Sequence, residues 1–560
     1  MKRLSAVFFV ILLSSGVWAC TNFIVGKGAS TTGSPMTTYA ADSYSLYGFL
    51  RYQPAAEHAE GEMRKIYDWD TGEYLGEIPE VKHTYSVIGN VNEHQLTIGE
   101  TTWGGREELH DTTGIIDYGS LIYMALERCK TAREALSFMT DIVQEWGYYS
   151  EGESFTIADP DEVWVMEMIG KGGKEKGAVW VAVRVPDDCI TAHANQARIT
   201  ELPLKGAKQV RKQVICSPEM RGGKQKSIKK TIVTMGNVIN GVEWQWSADV
   251  IDFARKAGIF SAEDAQFSFA DVYAPLDIVA AYACEGRVWS FLRQYDESID
   301  YYLPYVMGDN YEHLPLFVRP NRQLSAADLR RAMRDQYEDT PLDITKGEAA
   351  GIWHSKLRYG GLTFMLDSVQ YCYPRPTATQ QTGWSFVSEM HKDLPYSIFW
   401  FAVDDAATSV YVPFFSSNKH VPYCLQRGNG DLLTYSNTSA FWAFNTVANF
   451  AYSKYERMLP DIQERQQAWE NRFEEEVQVF AEKGVSAQQL DNYSSEQADA
   501  VVQDWHQLFA FLMVKYLDGV EKKQDEKGEF LRTPTGESQS PNRFKPSEDY
   551  LRRIAPNVAH

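Results

Sequence analysis

The chain has 560 residues, 44% hydrophobic and 23% charged, with 75 acidic against 55 basic side chains and a formal charge of −20. That length supports a large core and either several domains or one large catalytic domain with appendages, and the acidic balance repels phosphate backbones and anionic membranes, which argues against nucleic-acid binding. Aromatic content of 13% with 15 Trp suits a packed globular protein with grooves for small organic ligands.

Residues 1–19, MKRLSAVFFVILLSSGVWA, read as a secretory leader: Lys2 and Arg3 form a positive start, residues 6–13 an apolar stretch, and Val17-Trp18-Ala19 a small-x-small cleavage site. The apolar run is shorter than the roughly 20 residues that span a bilayer, and no later run comes close. The mature chain is therefore expected to be exported to the periplasm or outside a bacterial cell, without membrane insertion, and to begin at Cys20. A competing reading makes Cys20 the acylated cysteine of a surface lipoprotein. Bulky Trp18 and the strand-like run that follows, with no flexible tether, speak against that.

From residue 21 to about 91 apolar runs broken by Gly28, Gly33 and Pro35 predict strands and tight turns, with further strands at 83–89 and 95–99. Over 119–146 an apolar stripe with spacing near 3.6 (Leu121, Met124, Ala125, Cys129, Ala132, Leu136, Met139, Val143) predicts one long amphipathic helix closed by Gly147. Strands follow at 154–158, 163–168, 178–185 and 189–192, so the order sheet, helix, sheet suggests a layered α/β architecture. Residues 205–230 are basic and read as a solvated excursion. A charged helix is expected over 324–336 with Ser325 as its cap, and two long helical patterns over 441–483 and 486–522. The polar segment 523–560 reads as a loosely held tail.

Seven cysteines (20, 129, 189, 216, 284, 372, 424) lack CxxC or other metal-type spacing, and are expected to be mostly buried thiols with no particular bridge. Cys20 differs by position. A mature N-terminal cysteine carries a thiol with a pKa of about 8.5 beside an α-amine of about 7.7 to 8.0, so the amine can take the thiol proton near neutral pH without a histidine. Attack on an amide carbonyl then needs an anchor for the amine, donors for the oxyanion and a cation. Asp42, Asn195 and the peptide N–H near Thr102 stand at strand ends or turns where they could supply the first two, and Arg287 is a cation in a largely apolar stretch, where an unpaired charge is costly. Each alone has a plainer reading: Asp42 a turn former, Asn195 a cap, Arg287 an ion-pair partner of Asp277 or Glu285, and His193 a structural histidine. The pairs Asp187-Asp188 and Asp404-Asp405 are expected in turns, facing solvent.

The stretch CTNFIVGKGASTTGSPMTTYAADS resembles the start of the C69 dipeptidase family of the cysteine-type N-terminal nucleophile hydrolases. The similarity continues through VNEHQLTIGETT, LERCKTAREAL, EVWVMEM, RVPDDCITAHANQARI, LRRAMRDQYEDTPLDIT and WFAVDDAATSVYVPFF, covering roughly residues 20–415. The resemblance implies an α+β class with the four-layer αββα fold over residues 20–435, and the helical patterns then add C-terminal helices over 436–522 before the tail 523–560. It also implies that Cys20 is the nucleophile, Asp42 the amine anchor, Asn195 and Thr102 the oxyanion site and Arg287 the active-site arginine. Where the family commonly has an arginine three residues before the aspartate, this chain has Tyr39, leaving the thiolate to Arg287 or to a hydrogen bond from Tyr39.

The implied activity is hydrolysis of dipeptides through a thioester acyl-enzyme, with small peptides as partners and no metal or organic cofactor. The alternatives are an acylase of conjugated small molecules, of the bile salt hydrolase or penicillin V acylase type, and a non-catalytic surface lipoprotein. A papain-like enzyme lacks its Gly-Ser-Cys-Trp signature here, and no HExxH pair exists for a zinc peptidase.

Overall fold

The computed structural model describes residues 20–173, 175–221, 224–358 and 361–555. The leader and its cleavage site lie outside the described residues, apart from Cys20 itself.

The class is α+β, built on antiparallel sheets. One sheet has six strands in the order Ile190–His193, Asn22–Val25, Met36–Asp42, Thr382–Glu389, Ile398–Val403, Val412–Phe415. The other has ten. It runs from Lys208–Arg221 through Lys224–Ile239, Val242–Ser247, Ala178–Arg184, Val163–Gly170, Glu153–Ala158 and Thr97–Thr102 to the short strands Val91–Asn92, Val87–Ile88 and Tyr52–Gln53.

Side-chain alternation explains why the strands Val163–Gly170 and Ala178–Arg184 are apolar apart from Glu167 and Arg184. In Val163–Gly170 the residues Trp164, Met166 and Met168 enter one core with the helices Tyr118–Arg128 and Ala132–Trp146, while Val163, Val165 and Ile169 enter another on the opposite face. The neighbouring strand repeats this, with Trp180 on the helix side and Val179, Val181 and Val183 on the other. A strand buried on both faces has no polar side to show. The first strand obeys the same rule: Phe23 and Val25 join the helix-side core of the small sheet, where Phe23 stacks on Phe291 at 4.1 Å, and Ile24 points to the other face.

The two sheets meet where the first strands cross Thr97–Thr102. Asn22 Nδ2 donates to the Glu100 carbonyl at 2.7 Å, and Thr97 Oγ1 and Ser388 Oγ lie 3.1 Å apart. Gly99 is what permits this approach: a Cβ there would fall 2.3 Å from Asn22 Oδ1.

Several elements differ from the sequence expectation. The stripe over 119–146 forms two helices, because Cys129 is extended and Thr131 opens a second helix by accepting from the Glu134 N–H at 3.2 Å. The apolar stripe keeps its phase across the break, which hides it. The basic segment 205–230 belongs to a long hairpin, Lys208–Arg221 with Lys224–Ile239, that extends the edge of the large sheet. Its charges find acceptors on the Ala132–Trp146 helix: Arg211 bonds Asp141 at 2.5 Å and Thr140 at 2.9 Å, and Lys230 bonds Gln144 at 3.1 Å. The 441–483 pattern splits into Ala440–Tyr452 and Tyr455–Lys483 at the non-helical Lys454, and the next helix, Ala487–Lys515, ends short of 522. The 324–336 helix is Ala326–Ala332, with Ser325 in a capping box with Asp328.

Asp404 and Asp405 are buried, contrary to expectation. Asp405 pairs with Lys356 at 2.7 Å and accepts from Tyr452 Oη at 2.6 Å, while Asp404 accepts from Asn445 at 2.8 Å and burial pushes its carboxyl up to about 7. These partners tie the strand end to the Ala440–Tyr452 helix. The C-terminal helices continue the small sheet's core: Phe444, Val501, Trp505 and Leu508 pack with Phe401, Val412 and Phe414. Buried Glu470 bonds both Arg330 at 3.2 Å and Arg334 at 2.5 Å, fixing the Tyr455–Lys483 helix to Ala326–Ala332. Within the 523–555 segment, Asn542–Arg543 pairs with Val520–Glu521, and the Phe544 ring packs at a tilt against Trp353, with centroids 3.9 Å apart.

Candidate active site

Cys20 precedes the first strand. Thr21 pairs with Ala40 through two peptide hydrogen bonds of 3.2 and 2.9 Å, which sets Cys20 beside the Asp42 end of the second strand. Only 4% of the residue is exposed. Burial pushes the thiol well above its usual range, and the nearby carboxyls of Glu100 and Asp42 add to this; the Tyr39 hydroxyl and the Asp42 backbone pull it back. Tyr39 Oη stands 3.6 Å from Sγ and donates to Glu100 Oε1 at 2.6 Å. The tyrosine in the arginine's place is thus a hydrogen-bonding neighbour of the sulfur.

Arg287 gathers the site. A π-helical turn, Ala280–Glu285, runs into the Gly286–Arg293 helix, and Arg287 Nε returns to the Ala283 carbonyl at 2.9 Å. Such wide turns are frequent at functional positions. Nη1 donates to the Cys20 carbonyl at 2.6 Å and Thr21 Oγ1 at 2.8 Å; Nη2 donates to the Ala194 carbonyl and Asn195 Oδ1, both at 3.0 Å. The guanidinium is 0% exposed, and burial first, then Arg375, lowers its pKa to about 10, so it stays cationic at neutral pH. It reaches the Cys20 main chain rather than the sulfur. Its expected carboxylate partner is committed elsewhere, since Glu285 faces Arg198 at 3.4 Å.

Asn195 follows the Ile190–His193 strand with φ of 65°, a left-handed conformation that asparagine tolerates better than most residues. Its Oδ1 is held by Arg287, and its Nδ2 donates to the Thr102 carbonyl at 2.5 Å, leaving a second N–H on the same nitrogen. The Thr102 peptide N–H bears on the Glu100 carboxyl, and its hydroxyl donates to Glu153 Oε1 at 2.6 Å. Asp42 is fully buried; it accepts from Arg375 at 2.8 Å and Thr382 at 2.6 Å, and burial nevertheless raises its carboxyl above the usual range.

Cys20, Asn195, Arg287 and Thr102 therefore form one connected network, with Asp42 alongside it. His193 sits between Thr101 and Thr156 at 2.7 Å each, and burial lowers its pKa to about 3, so it is a neutral structural group. Three neighbours escaped the sequence reading: Glu100, Glu153 and Arg375. The available signal for the first two was a carboxylate inside an otherwise buried strand, where a charge is costly. Arg375, in Pro374-Arg375-Pro376, carried none. Among the described residues no group of three or more His, Cys, Asp or Glu is arranged to hold a metal ion.

The model of peptidase family C69 matches residues 19–468. A probable dipeptidase of Salmonella dublin is 23% identical over 450 residues, covering 75% of this chain and 86% of the relative. A probable dipeptidase of Latilactobacillus sakei is 24% identical over 349 residues, 58% of this chain and 62% of the relative. A probable dipeptidase B of Streptococcus pyogenes serotype M1 is 22% identical over 462 residues, 78% and 79% of the respective chains.

Proposed function

Because the chain belongs to peptidase family C69, we propose that this peptidase is an exported dipeptidase that uses Cys20 as an N-terminal nucleophile once its leader is removed, on an αββα framework of the N-terminal nucleophile type. The observation that carries the reading is the Arg287 fork, which holds the Cys20 carbonyl and the Asn195 side chain on one planar group. A buried arginine spanning a nucleophile's main chain and an amide side chain aligns both around one point. That is the arrangement acyl transfer requires.

In the proposed mechanism the freed α-amine of Cys20, biased by the nearby Asp42 carboxyl, takes the thiol proton. The thiolate forms a bond to the scissile carbonyl carbon while the second N–H of Asn195 Nδ2 receives the developing oxyanion. Thr102 acts by fixing that amide through its own carbonyl. Collapse breaks the C–N bond, the amine proton passes to the departing amino group, and a thioester remains. Water attacks the thioester and releases the first amino acid with the sulfur restored. Tyr39 Oη stands beside the sulfur while its single proton is directed to Glu100.

The test is competitive turnover. The mature enzyme is expected to hydrolyse free dipeptides at least about 100-fold more efficiently, in kcat/KM, than conjugated bile acids or penicillin V, as a site built for polar ends rejects apolar acyl groups. Preference for the conjugates would replace the dipeptidase reading with the acylase one.

A further inference from the structure

Glu100 and Glu153 form a buried carboxyl pair at the nucleophile that the mechanism above does not use. They are 1% and 0% exposed, and they lie on adjacent strands of the large sheet, Thr97–Thr102 and Glu153–Ala158. Each spends one oxygen locally: Glu100 Oε1 accepts from Tyr39 and Glu153 Oε1 from Thr102, both at 2.6 Å. The remaining oxygens, Oε2 of both residues, form no well-placed hydrogen bond among the described residues, although the Thr102 peptide N–H and the Cys20 thiol also bear on the Glu100 carboxyl. The side chains bear on one another, and the Cys20 thiol bears on Glu100. No Lys, Arg or His among the described residues forms an ion pair with either.

Two facing carboxyls without an ion-pair partner keep a shared proton, because neither burial nor mutual repulsion tolerates two charges. Both are accordingly raised, Glu153 more strongly. Asp70 and Asp117, further out, are also raised, to about 7 and about 6, with burial the main cause. The nearby cations are engaged elsewhere: Arg287 bonds the Cys20 and Ala194 carbonyls and Asn195, and Arg375 pairs with Asp42.

The position of the pair says which positive charge fits. In an aminoacyl group attached to Cys20, the amino nitrogen stands two bonds from the carbonyl carbon, about 2.5 Å away, and hence within about 4 Å of the sulfur. Glu100 is separated from the sulfur by a single hydroxyl, with Sγ to Tyr39 Oη 3.6 Å and Oη to Oε1 2.6 Å. An acyl group that carries an ammonium on its α-carbon therefore brings it to this pair; a steroid or phenoxyacetyl acyl group brings carbon.

Resting on the dipeptidase reading and deepening it, we propose that Glu100 and Glu153 are the subsite for the substrate's free α-ammonium, so that the enzyme requires an unblocked amino terminus. The ammonium donates to the two Oε2 atoms in place of the shared proton, which leaves to solvent. The pair fixes the first residue of the peptide with its carbonyl over Sγ, and so selects substrates by their amino end.

The experiment uses the mature chain with Ala-Ala, N-acetyl-Ala-Ala and Ala-Ala amide. Acetylation is expected to lower kcat/KM by at least about 100-fold, since it removes a charge-assisted donor from buried acceptors, whereas amidation of the far end has a smaller effect. In Glu153→Gln, checked for folding by circular dichroism, KM for Ala-Ala should rise at least about tenfold with kcat less affected, and the penalty for acetylation should shrink. Calorimetry on the Cys20→Ala chain supplies an arm independent of turnover: Ala-Ala should bind with proton release and N-acetyl-Ala-Ala should not bind. Equal handling of free and acetylated dipeptide would overturn the subsite. So would an unchanged acetylation penalty in Glu153→Gln, which would leave the pair a purely structural proton-sharing clamp. If nothing peptidic is cleaved yet Cys20→Ala still binds Ala-Ala selectively, the subsite stands and the dipeptidase reading fails; if neither occurs, both fail.

Discussion

Replacing Cys20 by alanine is expected to lower kcat/KM for dipeptides by at least about 10⁴-fold while leaving the fold intact, because the proposed mechanism forms its thioester on that sulfur. Stability should change little. The side chain is buried, but the sulfur has Tyr39 as its hydrogen-bond neighbour and the contact is a loose one at 3.6 Å. Loss of one buried sulfur costs about 1 kcal/mol, within the range of small core truncations. Cys20→Ser should retain at most weak activity, since a hydroxyl beside Glu100 and Asp42 is far harder to ionise than a thiol. Turnover and circular dichroism together read the outcome. Activity near wild type in Cys20→Ala would end the proposed mechanism.

Arg287→Met is expected to damage both stability and catalysis. The arginine satisfies the carbonyls of Cys20, Ala194 and Ala283, the Asn195 Oδ1 and the Thr21 hydroxyl from a fully buried position. Methionine fills similar space and leaves these acceptors without donors, so a loss of about 3–5 kcal/mol is expected, comparable to breaking a buried ionic network. At the site, the Asn195 amide is freed to turn and the Cys20 main chain loses its tether, which should lower kcat by about 10²–10³-fold, the range for losing an oxyanion donor. Arg287→Lys should fall between, because one ammonium cannot reach Cys20 and Asn195 together. Urea midpoints and kcat on the same preparations separate the two effects. A variant that is destabilised but turns over at the wild-type rate would reduce Arg287 to a structural role.

Much of this was legible in local pattern. The run over 163–168 and its neighbours read as strands, Ser325 read as a cap, and Cys20, Asn195, Arg287 and Thr102 were singled out and lie in one network. What escaped depends on distant partners. The break at Cys129 leaves the helical phase of the apolar stripe untouched. The Lys208–Arg221 hairpin is basic because acceptors such as Asp141 await its charges across the sheet edge. Asp404 and Asp405 look like turn residues until Lys356, Asn445 and Tyr452 come beside them. Glu100 lay within a quoted motif, yet its meaning required Glu153 on the adjacent strand and Tyr39 from the other sheet.

The placement of Thr102 is instructive in the same way. A peptide N–H at a strand end is a reasonable oxyanion donor in sequence terms, but here that N–H faces Glu100 and the carbonyl of the same residue holds Asn195. The strand's hydrogen-bond parity decides this, and parity becomes fixed only when the Glu153–Ala158 strand pairs with Thr97–Thr102.

The most direct measurement is the intact mass and terminal sequence of the mature protein, before and after brief exposure to an activated ester of a single amino acid. The account predicts a chain that starts at an unmodified Cys20 and gains one aminoacyl mass, labile to hydroxylamine, on that residue. A chain that starts elsewhere, carries lipid on Cys20, or takes the acyl group at another residue would contradict it.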